Sequence, residues 1–284
     1  MDRAIYGDNQ FFGINHSSEL KANERAARFQ SDHAIYETLC IAHEVGVRTF
    51  MFTTHARLEN VCNLMSCDRR FQDFKLIPCI PYAYKYANAM TEHGVIGALH
   101  RYMPKNVFST SYRLLRSGLT GDPAPTMKSL IDAELKPYRK FHIEAVFLLN
   151  IATDFAMGLG MNHLLGEFHS YLDKSYKVKP GFITLNHTRL ESVLRDELGI
   201  QRPLICSPIN SRGFRMNPTK SDVEASLRNR QSQVVAMSVL ASGSIPPREA
   251  LEYVNKLPGV DSIVFGASSR ANIEQTFNML NAPA

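Results

Sequence analysis

Eight short runs rich in β-branched and aromatic residues recur along the chain, with stretches of helical spacing between them. The runs are Arg3 to Gly7, Val47 to Thr53, Lys75 to Ile80, Glu144 to Asn150, Gly181 to Asn186, Pro203 to Ser207, Val234 to Ser238 and Ser262 to Phe265. Ser31 to Glu44 repeats Ile35, Leu39 and Ala42 on one face, with Ser31 or Asp32 placed to cap it. His187 to Leu198 sets Leu190, Val193, Leu194 and Leu198 at helical spacing, and Arg248 to Leu257 follows Pro246-Pro247, which suits a first helical turn. Strands that alternate with helices run parallel. Eight such units within 284 residues close most simply into a (β/α)8 TIM barrel. The rival, an open doubly wound sheet, carries a glycine fingerprint after its first strand, and YGDNQFFG does not supply GxGxxG.

A barrel needs a large core, and the composition supplies one. Hydrophobic residues make up 44% and charged residues 21%, the balance of a globular chain. We expect one domain over residues 1–284, with an insertion at about 104–141. That insertion, Pro104 to Phe141, carries STSYRLLRSGLTGDPAP and then a helix from Thr126 to about Tyr138. Asn9 to Gln30 is a second long connection, and both exceed what a barrel requires, as lids and binding loops do.

Charge and cysteine content exclude several classes. The net charge of +5 is scattered among acidic residues, which favours small anionic ligands and lacks the basic stripe that nucleic acid needs. No apolar run reaches the ~18 residues that span a membrane. The N-terminal MDRAIYGDNQFF lacks the layout of a secretory leader, and the five cysteines (Cys40, Cys62, Cys67, Cys79, Cys206) form no CxxC pair. Free thiols and a cytoplasmic location are therefore expected; the oligomeric state is left open.

Five segments, GVRTFMFTTH, AVFLLNIATD, GFITLNHTRLESVL, VVAMSVLASGSI and DSIVFGASSRANIEQT, follow in order along the chain, and together they resemble the aldo-keto reductases. GVRTFMFTTH sits where that family has its second strand, and AVFLLNIATD where it has an apolar strand ending in histidine. GFITLNHTRLESVL is similar to its G-x-S-N strand, VVAMSVLASGSI to the strand before its glycine turn, and DSIVFGASSRANIEQT to its last strand and cofactor-phosphate loop. The resemblance implies the barrel fold and NADPH as a cofactor. It also implies a tyrosine acid tuned by lysine and aspartate, with a histidine that orients the carbonyl. Here those positions fall near Ala56, Cys79, Met51 and Asn150. Methionine and alanine cannot transfer protons. Loss of general-acid catalysis costs about 100- to 10,000-fold in rate, so the resemblance does not carry the reductase chemistry with it.

The ends of the strands gather another set of polar residues on one face of such a barrel. Candidates are Asp8 and Asn9, Thr53 and His55, Tyr82, Tyr84 and Lys85, Asn150 and Asp154, Asn186 and His187, Ser207 and Asn210, and Ser238 and Ser242. Asp8 could act as a base, with His55 or His187 as its partner; each histidine, and His16, could equally be a cap or a hydrogen-bonded rim residue. No HxH or HExxH spacing occurs, so no metal is expected. In PYAYKYANAM, Lys85 beside Tyr82, Tyr84 and Tyr86 could lower a phenol pKa and relocate the missing acid, or the tyrosines could form an aromatic wall. Cys79 and Cys206 read as small core side chains.

The sharpest signal is FGASSRANI. Gly266, Ser268, Ser269, Arg270 and Asn272 at a helix start could hold a phosphate, with Asn186, Ser207 and Ser238 completing a cofactor or ligand site; the plainer reading is a helix cap. The function expected is a divergent aldo-keto-reductase-like enzyme. Its substrate would be small and polar: phosphorylated, nucleotide-linked or sugar-like. An NADPH-dependent oxidoreductase using Tyr84 and Lys85, and a non-catalytic nucleotide-binding barrel, are the alternatives.

Overall fold

The computed structural model describes residues 1–12, 28–82 and 123–281. Eight parallel strands close a barrel: β1 (Ala4–Tyr6), β2 (Thr49–Thr53), β3 (Lys75–Ile80), β4 in two pieces (His142–Ile143 and Ala145–Leu148), β5 (Lys179–Ile183), β6 (Leu204–Pro208), β7 (Gln233–Met237) and β8 (Ser262–Phe265). Closure is made by Tyr6, which is in register with Phe50 of β2 on one side and Phe265 of β8 on the other. Each of the eight expected strands is present.

Nine α-helices lie among the described residues: α1 (Asp32–Val45), α2 (Ala56–Ser66), α3 (Ala124–Leu135), α4 (Asn150–Gly158), α5 (His163–Tyr171), α6 (His187–Ser192), α7 (Lys220–Asn229), α8 (Pro247–Lys256) and α9 (Arg270–Asn281). Ser31 caps α1, its hydroxyl accepting from the Ala34 N–H at 3.2 Å. The insertion helix begins at Ala124, two residues before the sequence suggests, because Pro125 fits a first turn; it ends in a 3-10 turn, Lys136–Tyr138. The Thr54 hydroxyl donates to the buried Glu134 carboxylate and ties α3 to the end of β2. The expected helix from His187 widens into a π turn over Val193–Glu197.

Side chains alternate across each strand, so the core has two faces. Inward lie Ile5, Met51, Ile77, Cys79, Phe147, Ile183, Cys206 and Val235, which fill the barrel lumen. Outward, Tyr6, Phe50, Phe52 and Phe265 pack with Phe11 and Phe29 under the helices. All five cysteines are free thiols, four of them buried and Cys67 exposed. No helix among the described residues is long and apolar enough to cross a membrane.

Candidate active site at the C-terminal mouth

The end of β1 delivers a carboxyl group beside the end of β2. Asp8 Oδ2 accepts from the Thr53 backbone N–H at 2.8 Å and from the Thr53 hydroxyl at 2.7 Å. Asp8 is buried, and burial pushes its carboxyl above the ordinary range while the two Thr53 donors pull the other way. Burial also pushes up the Cys79 thiol, and the Asp8 carboxylate adds to that shift, so the two groups sense each other near the lumen.

Among the described residues the lumen carries no relay of the kind the resemblance implies. Met51 and Cys79 face inward at two of the positions the resemblance assigns to the acid machinery. The third, Ala56, is exposed at the start of α2, and Asn150 opens α4, half-buried. The side chains that meet the mouth from below are Leu149, Met237 and Val264, partly exposed members of the lumen cluster. Much of the polar rim is consumed by its own architecture. Asp154 accepts from the Thr184 hydroxyl and the Leu185 N–H, and Asn210 is bound to Phe214 and Ser238.

The histidines take structural positions. His55 is the N-cap of α2, with Nδ1 accepting from the Arg57 N–H at 3.0 Å and its ring beside Phe12 and Tyr82. Burial, then Arg57, depresses its pKa. His187 lies 1% exposed, its Nδ1 2.9 Å from the Ser207 hydroxyl. Because Cys206 faces the lumen, Ser207 points to the opposite side of β6, and the pair sits behind the strand rather than in the lumen. The roles expected for His187 in catalysis and Ser207 in cofactor binding do not fit that placement. Asn186 caps α6, Oδ1 accepting from the Arg189 N–H at 3.4 Å. Ser238 adopts φ +54° and offers its carbonyl to Ala241 and Asn210.

The glycine-serine loop before α9 also reads differently in three dimensions. A side chain at Gly266 would overlap the amide oxygen of the buried Gln10, so the glycine makes room for Gln10 rather than for a ligand. Tyr6 supports the loop from beneath by donating to the Ala267 carbonyl. Ser269 caps α9, accepting from the Asn272 N–H at 3.4 Å, and Ser268 is half-buried beside it. Arg270 pairs with Glu44 of α1 and with Glu274, so its charge is already matched. His16, Tyr84, Lys85 and Tyr86 lie outside the described residues, as does the first half of the insertion.

Sequence reasoning missed Gln10, which donates to the Gly7 carbonyl at 2.7 Å and packs against Gly266 near the other end of the chain, and the arginine pair Arg212 and Arg215 in SRGFR after β6. Two cations around a glycine in a strand-end loop were a readable signal. Among the described residues no group of His, Cys, Asp or Glu converges to hold a metal ion. A shallow cleft of about 510 Å3, lined by His163, Glu167, His169 and Gln201, lies between α5 and the turn before β6, outside the barrel mouth.

Comparison with solved structures finds this barrel again. PA4992 of Pseudomonas aeruginosa, proposed to be an aldo-keto reductase, superposes with TM-score 0.62 at 13% identity over 98% of this chain and 89% of that one. The fold is that of the aldo-keto reductases. The glycerol dehydrogenase of Gluconobacter oxydans aligns at TM-score 0.58 and 9% identity, covering 100% and 88% of the two chains. A variant of Gox0644 in complex with NADPH aligns at 0.52 and 10%, covering 100% and 85%. No protein-family model matches the sequence, and no curated protein matches it significantly. At such identities the likeness is one of architecture, and chemistry has to be argued from the residues.

Proposed function

We propose that this aldo-keto-reductase-like barrel is an enzyme whose proton-transfer group is Asp8, acting on a small polar, anionic ligand of sugar or nucleotide type at the C-terminal mouth. One observation carries the reading: a buried carboxyl with a raised pKa stands at a strand end, with two donors already on it. In its neutral form Asp8 can give its proton to an oxygen of the ligand. The carboxylate that remains is received by the Thr53 N–H and hydroxyl, which favour the charged form. The proton returns by the reverse path, and general acid–base assistance of this kind is worth about 100- to 10,000-fold.

NADPH would supply hydride if bound, and the NADPH in the Gox0644 neighbour supports a second reading, an NADPH-dependent oxidoreductase, for which Tyr84 and Lys85 would be the acid pair. The described residues fit that cofactor poorly: Gln10 fills the space at Gly266 and Glu44 and Glu274 hold Arg270. No step is therefore routed through it. The test is a turnover screen over sugar phosphates and small carbonyl compounds, with and without NADPH. Under the first reading Asp8→Asn loses turnover and keeps its fold, while Tyr84→Phe does not. Steady NADPH oxidation abolished by Tyr84→Phe and untouched by Asp8→Asn would transfer the function to the second reading. Ligand binding without turnover would make this a nucleotide-binding barrel.

A further inference from the structure

The loop that leaves β6 carries a charge pattern that the fold leaves unanswered. Arg212 and Arg215 are exposed, and among the described residues neither has a carboxylate or carbonyl partner; Arg215 lies over the Phe214 ring, 5.2 Å from its centroid. Arg270, the cation expected to meet an anion, is by contrast held by two carboxylates. A guanidinium without a counter-charge among the described residues, in a loop at the C-terminal end of a barrel strand, is suited to a planar, two-pronged contact with an oxyanion.

The loop is also built to hold still. The Asn210 side chain clamps both sides of Phe214, accepting from its N–H at 2.8 Å and donating to its carbonyl at 2.9 Å. Its amide also reaches the Ser238 carbonyl at 3.4 Å, tying this loop to the one after β7. Lys220 donates to the Ser211 carbonyl at 2.7 Å, and the Ser211 hydroxyl is shielded from solvent with no hydrogen-bond partner. Arg215 is held at φ +57°, and Ser238, Ala241 and Ser242 in the adjoining loop have φ of +54°, +44° and +60°. Side-chain-bearing residues resist that region of backbone space, and such positions cluster where a fold is committed to a ligand. Among the described residues the other three non-glycine positions with positive φ, Lys177, Arg202 and Arg230, lie at the opposite end of the barrel, in the turns that lead into β5, β6 and β7. A loop backbone held in this way loses little freedom on binding.

We propose that the loop from Asn210 to Asn217 is the anion-binding element of the mouth, with Arg212 and Arg215 taking a phosphate or diphosphate group of the ligand. This rests on the functional reading above, since it places the anionic end of that ligand; its test does not involve Asp8. The probe is inorganic pyrophosphate, titrated calorimetrically against the whole chain at low ionic strength. The double variant Arg212→Ala/Arg215→Ala should bind at least tenfold more weakly, and the corresponding double lysine variant should fall between it and the unaltered chain. Arg270→Ala should change affinity less than twofold. Unaltered melting temperatures of the variants check that the loss is not one of folding. Pyrophosphate binding that survives the double alanine variant, that is lost instead in Arg270→Ala, or that the unaltered chain never displays would overturn the proposal. Turnover that depends on Asp8 would stand in each of those cases.

Discussion

At the scale of single residues, two polar pairs separate chemistry from architecture. Asp8 has a raised pKa, so its stabilising contribution is complete below the ordinary carboxylate range and is lost as pH rises through the raised value. Asp8→Asn should therefore cost most stability near about pH 4 and least near about pH 8. Melting temperatures of both forms across that range check it; a gap that widens with rising pH would mean that the Thr53 donors outweigh burial. Ser207 makes the opposite case. Its hydroxyl partners His187 behind the strand, so Ser207→Ala should lower stability by about 1 kcal/mol and leave turnover within about twofold. A large loss of turnover with unchanged stability would return the pair to the catalytic site. Asp8 was legible because strand ends converge in a barrel. The engagement of Arg270 was not, since Glu44 is 226 positions away and only closure brings the two together.

At the scale of elements, strand identity was written in apolar runs and turn residues, and all eight are present, with β5 starting two residues before the expected Gly181 and ending at Ile183 rather than Asn186. Helix ends were less legible, because caps and tertiary contacts decide them. Apolar spacing from Leu190 to Leu198 cannot tell an α-turn from the wider turn that replaces it after Ser192. The junction of α1 with β2 is a sharper case. Gly46 closes α1 at φ +115°, and a side chain there would press on the Phe277 ring of α9 from 2.9 Å. Both backbone strain and crowding oppose a Cβ, so Gly46→Ala should destabilise the protein by at least about 1 kcal/mol. Chemical denaturation would show it as a lower midpoint with an unchanged slope.

At the scale of the whole molecule, the interior is one filled cylinder wrapped by a second shell, and the two are packed by different rules. Gly181 in β5 admits the Phe147 ring: an added Cβ would lie 2.6 Å from it. Gly181→Ala should force that ring against its lumen neighbours and cost about 1 to 3 kcal/mol, read from the denaturation midpoint; a neutral result would show that the lumen has slack. The count of strands in the sequence was enough to indicate closure, but it could not say what fills the lumen mouth. Leu149, Met237 and Val264 come from three separate strand ends, and each alone looks like an ordinary core position.

The distribution of thiols turns this packing into a clock. Cys40, Cys62, Cys79 and Cys206 are buried, with burial raising the pKa of each, and Cys67 alone is exposed. Toward an alkylating reagent the native chain should behave as a single-thiol protein, because the thiolate is the reactive form and access is required as well. Cys79 and Cys206 sit in the lumen, whereas Cys62 lies under the helices. Adducts beyond the first would then arrive in the order in which the outer shell loosens and the cylinder opens. Intact mass measured over time would record that order directly, with simultaneous gain of all four showing that shell and cylinder give way together.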